Sequence, residues 1–163
     1  MAIKMVKNNQ IRVLFVCMGN ICRSPTAEAV LRRLLQLEAP ELAVTIDSAA
    51  THDYHVGRPP DPRSQTAARR RGFDLAALRA RQLEPRDFEI FDYVLCMDEQ
   101  NRRDALAISP KAASARLALE FAPEQELREV PDPYYGGPAG FEQVLDLLEA
   151  CARGLIRELR ERR

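Results

Sequence analysis

The sequence predicts an α/β fold in a single domain, with a parallel sheet covered by helices on both faces. The chain has 163 residues, a usual length for one domain. Short apolar runs rich in β-branched residues alternate with segments of helical period, the pattern of right-handed crossovers between parallel strands. The composition is 46% hydrophobic and 29% charged, which allows a buried core under a polar surface.

The first element is a strand predicted at residues 11–17 (IRVLFVC), a run that is apolar enough to be buried on both faces. A turn-like segment follows at residues 18–20. Ser24 before Pro25 is typical of a helix N-cap followed by the first helical position. Apolar residues then recur at helical period over residues 27–35. The unit is therefore strand, tight loop and helix.

The middle of the chain predicts one more strand and one more helix. A second strand is expected at residues 44–48 (VTIDS), and the proline-containing segment 49–62 is expected to be an irregular loop. A helix is predicted over residues 63–71, with Gly72 as its C-cap. The arginines 69–71 are then interpreted as a solvated helix end.

The last third predicts two further strands and two helices. A third strand is expected at residues 93–97 (YVLCM), followed by a helix capped by Asp98. A fourth strand is expected near residues 117–119. Residues 131–137 (PDPYYGG) form turns throughout, and the final helix is predicted from about Phe141.

Charge and hydropathy exclude several classes of partner. Lys plus Arg and Asp plus Glu both number 24, so nothing indicates binding to nucleic acid or to a membrane surface. No apolar run approaches the roughly 18 residues of a membrane span, and the first ten residues lack the apolar region of a secretory signal. We expect a cytoplasmic protein whose domain spans residues 11–163, after a flexible extension at residues 1–10.

The four cysteines are Cys17, Cys22, Cys96 and Cys151. One close pair and two histidines do not form a zinc-binding pattern, so we expect free thiols, no metal and no cofactor. Cys96 and Cys151 are expected in the core.

The segment 17–24 reads CMGNICRS, a cysteine followed after five residues by arginine and serine. Between a strand end and a helix N-terminus, Cys17 would face unpaired N–H dipoles, which favour a thiolate, the nucleophilic form. Five residues let the chain wrap around a tetrahedral anion with its N–H groups pointing inward. Gly19 and Asn20 suit the positive φ that such a wrap needs.

The end of the segment can bind and assist a phosphoryl group. Arg23 can hold two phosphoryl oxygens with its planar guanidinium. Ser24 can donate a hydrogen bond to the Cys17 sulfur and help it to leave when a phosphocysteine is hydrolysed. The segment lacks the glycine-lysine pair of nucleotide-binding loops. It therefore predicts a phosphate-binding loop after the first strand, in a phosphatase whose nucleophile is Cys17.

The stretch VLFVCMGNICRSPTAEA resembles the signature of the low-molecular-weight protein tyrosine phosphatases. The resemblance continues with IDSAAT, YHVGRPPDPRSQ, DFEIFDYVLCMDEQN and DPYYGG, so it covers nearly the whole chain from residue 11 to the final helix. It implies four parallel strands and hydrolysis of phosphomonoesters without a metal, with acid phosphatase activity.

The resemblance also assigns roles to single residues. It implies Cys17 as nucleophile, Arg23 as phosphate ligand and Asp132 as general acid and base. A carboxylic acid opposite the nucleophile fits this chemistry, because tyrosine leaves poorly unless it is protonated. The implied phosphate-binding loop comprises Met18, Gly19, Asn20, Ile21, Cys22, Arg23 and Ser24. The residues implied to hold it in shape are Asn20, Ser24 and Ser48.

The resemblance further implies a cleft for phosphotyrosine, with Ile21, Tyr54, Tyr134 and Tyr135 as its walls. The expected substrates are phosphotyrosine proteins or small aryl phosphates, and phosphate, vanadate or sulfate should bind as site ligands. Cys22 is implied to be a redox partner able to form a reversible disulfide with Cys17. The chain is expected to be a monomer or a weak homodimer.

Two other functions are compatible with the same loop. An arsenate reductase on this fold would need a further exposed cysteine pair, and Cys96 lies alone in an apolar strand. A phosphotyrosine-binding module without activity would be expected to have lost Cys17, Arg23 or Asp132, and all three are present. His52 and His55 are interpreted as surface loop residues. Asp98 and Asn101 could brace the cleft, but a helix cap is the favoured interpretation.

Overall fold

The structure is a computed structural model that describes residues 10–162. Residues 1–9 of the predicted extension lie outside the described residues, and Gln10 is exposed. Within the described range, no helix is long and apolar enough to cross a membrane.

Four parallel strands form one sheet, as predicted. They are β1 (Ile11–Cys17), β2 (Val44–Ala50), β3 (Tyr93–Cys96) and β4 (Arg116–Leu117), in the order β2-β1-β3-β4. After β1 the chain adds β2 on one side of β1, and it then crosses over to add β3 on the other side. Ligand sites in such sheets lie beyond the carboxyl ends of the strands at this reversal point, which here is the end of β1.

The helices cover both faces of the sheet. They are α1 (Arg23–Glu38), α2 (Pro62–Arg70), α3 (Asp87–Ile90), α4 (Glu99–Ile108) and α5 (Pro138–Glu161), with 3₁₀ segments at Pro110–Ser114 and Ala118–Phe121. Successive residues of β1 point to opposite faces. Val13 and Phe15 join the core under α1 and α5, whereas Leu14 and Val16 join a smaller core with Ala105 of α4.

The start of α1 differs from the prediction. The helix begins at Arg23 with Cys22 at its N-cap, and no side chain caps it. Ser24 therefore lies inside the first turn, and its hydroxyl turns towards Cys17 and Asn20 instead of the helix backbone. The Ser-Pro pair predicted the start of the helix to within a residue or two, but Ser24 does not act as its N-cap.

Four other elements have boundaries that differ from the prediction by one to three residues. Strand β2 continues to Ala50 because Ala49 and Ala50 still pair with Val16 and Cys17 of β1. Strand β3 ends at residue 96, and β4 covers 116–117 because residues 118–121 turn into a 3₁₀ segment. Helix α5 begins three residues before Phe141 with a proline in its first turn, a favourable position for proline.

The end of α2 confirms one prediction and corrects another. Gly72 has φ +86°, and the N–H groups of Gly72 and Phe73 donate to the carbonyls of Arg69 and Ala68, the bonds of a Schellman motif. Arg71, in contrast, is not a solvated end. Its guanidinium forms ion pairs with three carboxylates of α5, those of Glu142, Asp146 and Glu149.

Candidate active site

The loop after β1 wraps around the Cys17 sulfur. The N–H of Asn20 donates to Cys17 Sγ over 3.3 Å, and Ser24 Oγ lies 3.0 Å from the same sulfur. Asn20 has φ +58°, so it supplies the left-handed residue that the wrap needs. Gly19 is needed for space instead, because a Cβ there would lie 2.9 Å from Cδ2 of His55.

A buried network holds Asn20 in this strained conformation. Its Nδ2 group donates to Ser24 Oγ at 2.7 Å and to Ser48 Oγ at 2.9 Å, while the N–H of Arg81 donates to its Oδ1 at 3.1 Å. Ser48 in turn donates to Glu28 Oε1 over 2.7 Å. The loop is thus tied to α1, to β2 and to the segment that holds Arg81.

Arg23 enters the site from the first turn of α1 and is only 2% exposed. Its Nη1 donates to Asp98 Oδ2 at 2.6 Å and to the carbonyl of Val130 at 3.0 Å, and its Nη2 lies 3.8 Å from Asp132 Oδ2. Burial lowers the pKa of Arg23, but the negative charges of Cys17 and Asp98 outweigh this effect and the pKa is raised. Arg23 therefore remains a cation.

Asp98 does more than the helix cap that the sequence predicts. Its Oδ1 accepts from the N–H of Asn101 at 2.7 Å, and Asn101 Oδ1 accepts from the N–H of Asp98, which confirms the cap of α4. Its other oxygen anchors Arg23. The cap interpretation alone was therefore incomplete.

Asp132 lies opposite the loop. The N–H of Val130 donates to the carbonyl of Met97, next to the end of β3, and this bond brings the segment 131–137 to the site. Asp132 Oδ1 accepts from the N–H of Tyr134 at 3.0 Å, as a turn-capping aspartate would. Its side chain remains 38% exposed, so Oδ2 can also act in the cleft.

A cleft of about 340 Å³ opens above the sulfur. The residues after β2 pair with the loop, since the N–H groups of Thr51 and His52 donate to the carbonyls of Cys17 and Met18. This pairing carries Tyr54 and His55 to the cleft. The lining comprises Cys17, Met18, Gly19, Asn20, Ile21, Cys22, Arg23, Tyr54, His55, Asp132, Tyr134 and Tyr135.

His55 corrects a sequence interpretation, because it is a cleft residue rather than a simple surface residue. Its ring centroid lies 6.4 Å from that of Tyr134 and 6.5 Å from that of Tyr54, and its edge packs on Gly19. His52 stacks on Tyr54 at 5.0 Å and does not line the cleft.

The environment of the other three thiols keeps them protonated. Cys22, Cys96 and Cys151 are free and buried, and burial raises the pKa of each to about 12. A hydrogen bond with Ser64 opposes the effect at Cys22 without cancelling it. No exposed cysteine pair is therefore present, and among residues 10–162 no group of side chains could hold a metal ion.

The sequence reasoning missed Glu28, His55 and Arg81 as site residues, and it preferred a helix cap to a site role for Asp98. Two of them gave a signal. Glu28 is an acidic residue on the apolar face of a helix, one turn after Ser24, and Asp98 directly follows the strand that pairs with β1. Side chains at the carboxyl ends of neighbouring parallel strands share one edge of the sheet. His55 and Arg81 lie in irregular segments and gave none.

Comparisons with known proteins agree with this geometry. A family model described as "Low molecular weight phosphotyrosine protein phosphatase" matches residues 12–163. Proteins of that name from Gallus gallus and Homo sapiens are 43% and 42% identical over 148 residues, which cover 88% of this chain and 92% of theirs.

Solved structures give the same result. A protein tyrosine phosphatase from Entamoeba histolytica with Hepes in its active site superposes with a TM-score of 0.86 at 37% identity, covering 93% of this chain and 97% of that one. Bacillus subtilis YfkJ gives a TM-score of 0.88 at 33% identity, covering 96% and 99%. By its sequence, its fold and its relatives, the chain is an enzyme of the low molecular weight phosphotyrosine protein phosphatase family.

Proposed function

We propose that this enzyme hydrolyses phosphotyrosine and aryl phosphate monoesters through a phosphocysteine on Cys17. The observation that carries the proposal is the meeting of three groups in one cleft: the Cys17 sulfur at its floor, Arg23 beside it and Asp132 on the opposite loop. Nucleophile, phosphate ligand and proton donor are the three roles that this reaction requires.

In the first step the Cys17 thiolate attacks phosphorus and the bond to the tyrosine oxygen breaks. Asp132 donates its proton to that oxygen, so tyrosine leaves as a neutral phenol. Arg23 and the inward N–H groups of the loop bind the phosphoryl oxygens, whose charge spreads in the transition state. Asp98 and the Val130 carbonyl accept hydrogen bonds from Nη1 of Arg23, and Nη2 faces Asp132.

In the second step a water attacks the phosphocysteine, and the Asp132 carboxylate accepts the proton of that water. The phosphorus–sulfur bond breaks and phosphate is released. Ser24 supports this step, since its oxygen already accepts from Asn20 and its own proton is free to point to the sulfur 3.0 Å away. A hydrogen bond to sulfur makes the thiolate a better leaving group.

The walls of the cleft support an aromatic substrate. Ile21, Tyr54, His55 and Tyr134 surround the space above the loop, where a flat ring can pack on aromatic faces. Phosphate, vanadate and sulfate are the proposed site ligands. In support, Wzb of Vibrio vulnificus, 26% identical with a TM-score of 0.79, was solved in complex with benzylphosphonate.

Three finer proposals concern Cys22, the boundaries and the assembly. Peroxide oxidises the Cys17 thiolate to a sulfenic acid, and the Cys22 thiol then attacks that sulfur, so a disulfide forms and water leaves. Irreversible inactivation of wild type by peroxide, equal to that of Cys22→Ser, would contradict this. The catalytic domain spans residues 11–163, and an inactive 11–163 fragment would contradict that boundary.

The enzyme is a monomer or a weak homodimer. The dimer would form through the face that carries Tyr135, whose side chain is 93% exposed. Light scattering over a series of protein concentrations can test this.

The decisive experiment is hydrolysis of aryl phosphates in the presence of a metal chelator by wild type, Cys17→Ser and Asp132→Ala. We expect near-complete loss of activity in Cys17→Ser. Asp132→Ala should lose about 10²–10⁴-fold on a phenolic leaving group, and less on a very acidic one that needs no proton. An active Cys17→Ser enzyme would end the mechanism. Binding of phosphotyrosine without turnover would instead indicate a phosphotyrosine-binding module without activity. Reduction of arsenate coupled to thioredoxin would indicate an arsenate reductase.

A further inference from the structure

A second groove lies beside the cleft, on the α2 side of the segment 131–137. Its volume is about 350 Å³, and it runs between α2 and the start of α5. Its lining includes Arg63, Thr66 and Arg70 from one face of α2, and Gly137 and Phe141 from the other wall. These three α2 residues follow a spacing of three and four, so they share one helix face.

One side chain joins the groove to the cleft. The Arg63 guanidinium lies 5.4 Å from the ring centroid of Tyr134, a cleft wall, and 4.8 Å from that of Phe141, in the groove. Asp61 fixes it with hydrogen bonds of 3.1 Å to Nε and 2.9 Å to Nη2. A chain leaving the cleft over Tyr134 therefore passes Arg63 and enters the groove.

Among the cations that line the groove, Arg70 is the one without a side-chain partner in residues 10–162, whereas Glu142 shares Arg71 with Asp146 and Glu149. Arg63 is paired with Asp61, and Glu142, which lines the groove, accepts from Arg71 at 2.6 Å. Arg70 is exposed and has no hydrogen bond or ion pair with any side chain in residues 10–162. An anionic side chain of a bound peptide can therefore pair with Arg70.

We propose that this groove binds the acidic segment that flanks the phosphotyrosine in a peptide substrate. A glutamate or aspartate side chain of that segment pairs with Arg70. The proposal rests on the proposed function and adds a peptide specificity to it. A small aryl phosphate fills the cleft alone and does not reach the groove.

The test compares three phosphotyrosine peptides of equal length. One carries two glutamates before the phosphotyrosine, one carries them after it, and one has glutamines at all four positions. The value of kcat/KM for each peptide is divided by that of the same enzyme on p-nitrophenyl phosphate, so that general damage to the active site cancels. The enzymes are wild type, Arg70→Glu and the matched control Arg69→Glu. Arg69 is exposed and unpaired among the described side chains, but it does not line the groove.

Wild type should prefer one of the acidic peptides by about two- to fivefold, the size of one exposed ion pair, and the preference should shrink at high salt. Arg70→Glu should abolish or invert the preference, and Arg69→Glu should retain it. Absence of a preference in wild type, or equal losses in both variants, would overturn the proposal. Failure of wild type to hydrolyse p-nitrophenyl phosphate would instead overturn the proposed function.

Discussion

At the scale of single residues, the buried charge of Arg23 depends on the carboxylates around it. A buried cation is stable only when it is paired and its N–H groups are satisfied. Asp98 supplies the close partner at 2.6 Å, and Asp132 lies farther away at 3.8 Å. One carboxylate therefore anchors the guanidinium, while the other stays available for proton transfer.

Asp98→Asn should separate the anchor from the helix cap. Asparagine caps helices about as well as aspartate, so the melting temperature should change little. Because Arg23 loses its charged anchor, its guanidinium should be less well oriented, and kcat on aryl phosphates should fall about tenfold or more. Steady-state kinetics and thermal unfolding measure the two effects.

The control for this prediction is Asp104→Asn, a half-buried aspartate of the same helix whose Oδ1 accepts a hydrogen bond from Gln100 Nε2 at 2.9 Å. It should keep kcat. If Asp98→Asn lowers the melting temperature markedly as well as kcat, the loss of activity follows from loss of the helix cap. That result would contradict an anchoring role.

How well the sequence predicts such residues depends on whether their role is local. Cys17 and Arg23 lie in one short loop, so their spacing predicts that they meet, and the structure brings them together. The pairing of Arg23 with Asp98 joins residues 75 positions apart. Such a contact follows from strand order and side-chain packing, which the local pattern does not contain.

At the scale of elements, α5 shows how one glycine sets the distance between two segments. Gly154 is buried, and a Cβ there would lie 1.7 Å from the carbonyl oxygen of Phe121. That oxygen belongs to the backbone of the 3₁₀ segment 118–121 and cannot rotate away. The sequence predicted the apolar face of α5 but not this close approach, because glycine carries no hydrophobic signal.

Gly154→Ala should therefore lower the free energy of unfolding. Alanine improves helix propensity by about 1 kcal/mol, but forced overpacking costs about 1–3 kcal/mol or more, and the backbone contact places this site at the upper end. We expect a net loss of about 2 kcal/mol in denaturant titrations.

Gly140→Ala in the same helix is the matched control. Its Cβ would lie 3.6 Å from Pro133, an ordinary contact, so its stability should stay equal to wild type or rise slightly. Equal stability of the two variants would show that the segment 118–121 shifts without penalty.

At the scale of the whole molecule, the site is a product of the topology. The ends of β1 and β3 bring Cys17, Arg23 and Asp98 to one edge of the sheet, and the segments after β2 and before α5 close the cleft above them. Alternation of apolar runs and helical periods was enough to predict the parallel sheet and a site after β1, but not the approach of Asp98 or of the cleft walls. The shape of the irregular segments was not predictable, because their backbone bonds go to distant partners.

The same core makes stability depend on pH at the alkaline end. Burial raises the pKa of Cys22, Cys96 and Cys151 from 9.0 to about 12. Above pH 9 the unfolded chain releases these protons while the folded chain retains them, so the folded state binds more protons and stability falls as pH rises. This stabilisation is fully present below pH 9 and is lost towards pH 12, at up to about 1.4 kcal/mol per thiol and pH unit.

Cys151→Ala tests this dependence at a site far from the chemistry. The variant should be less stable at pH 8, because it loses a buried sulfur and its hydrogen bond to the Ala118 carbonyl. Its stability should then fall less steeply than that of wild type between pH 9 and 11, since one of the three titrating thiols is gone. Denaturant titrations at intervals of half a pH unit give both slopes. Parallel curves would mean that the Cys151 thiol titrates alike in the folded and unfolded chain, which would contradict its tight burial on the inner face of α5.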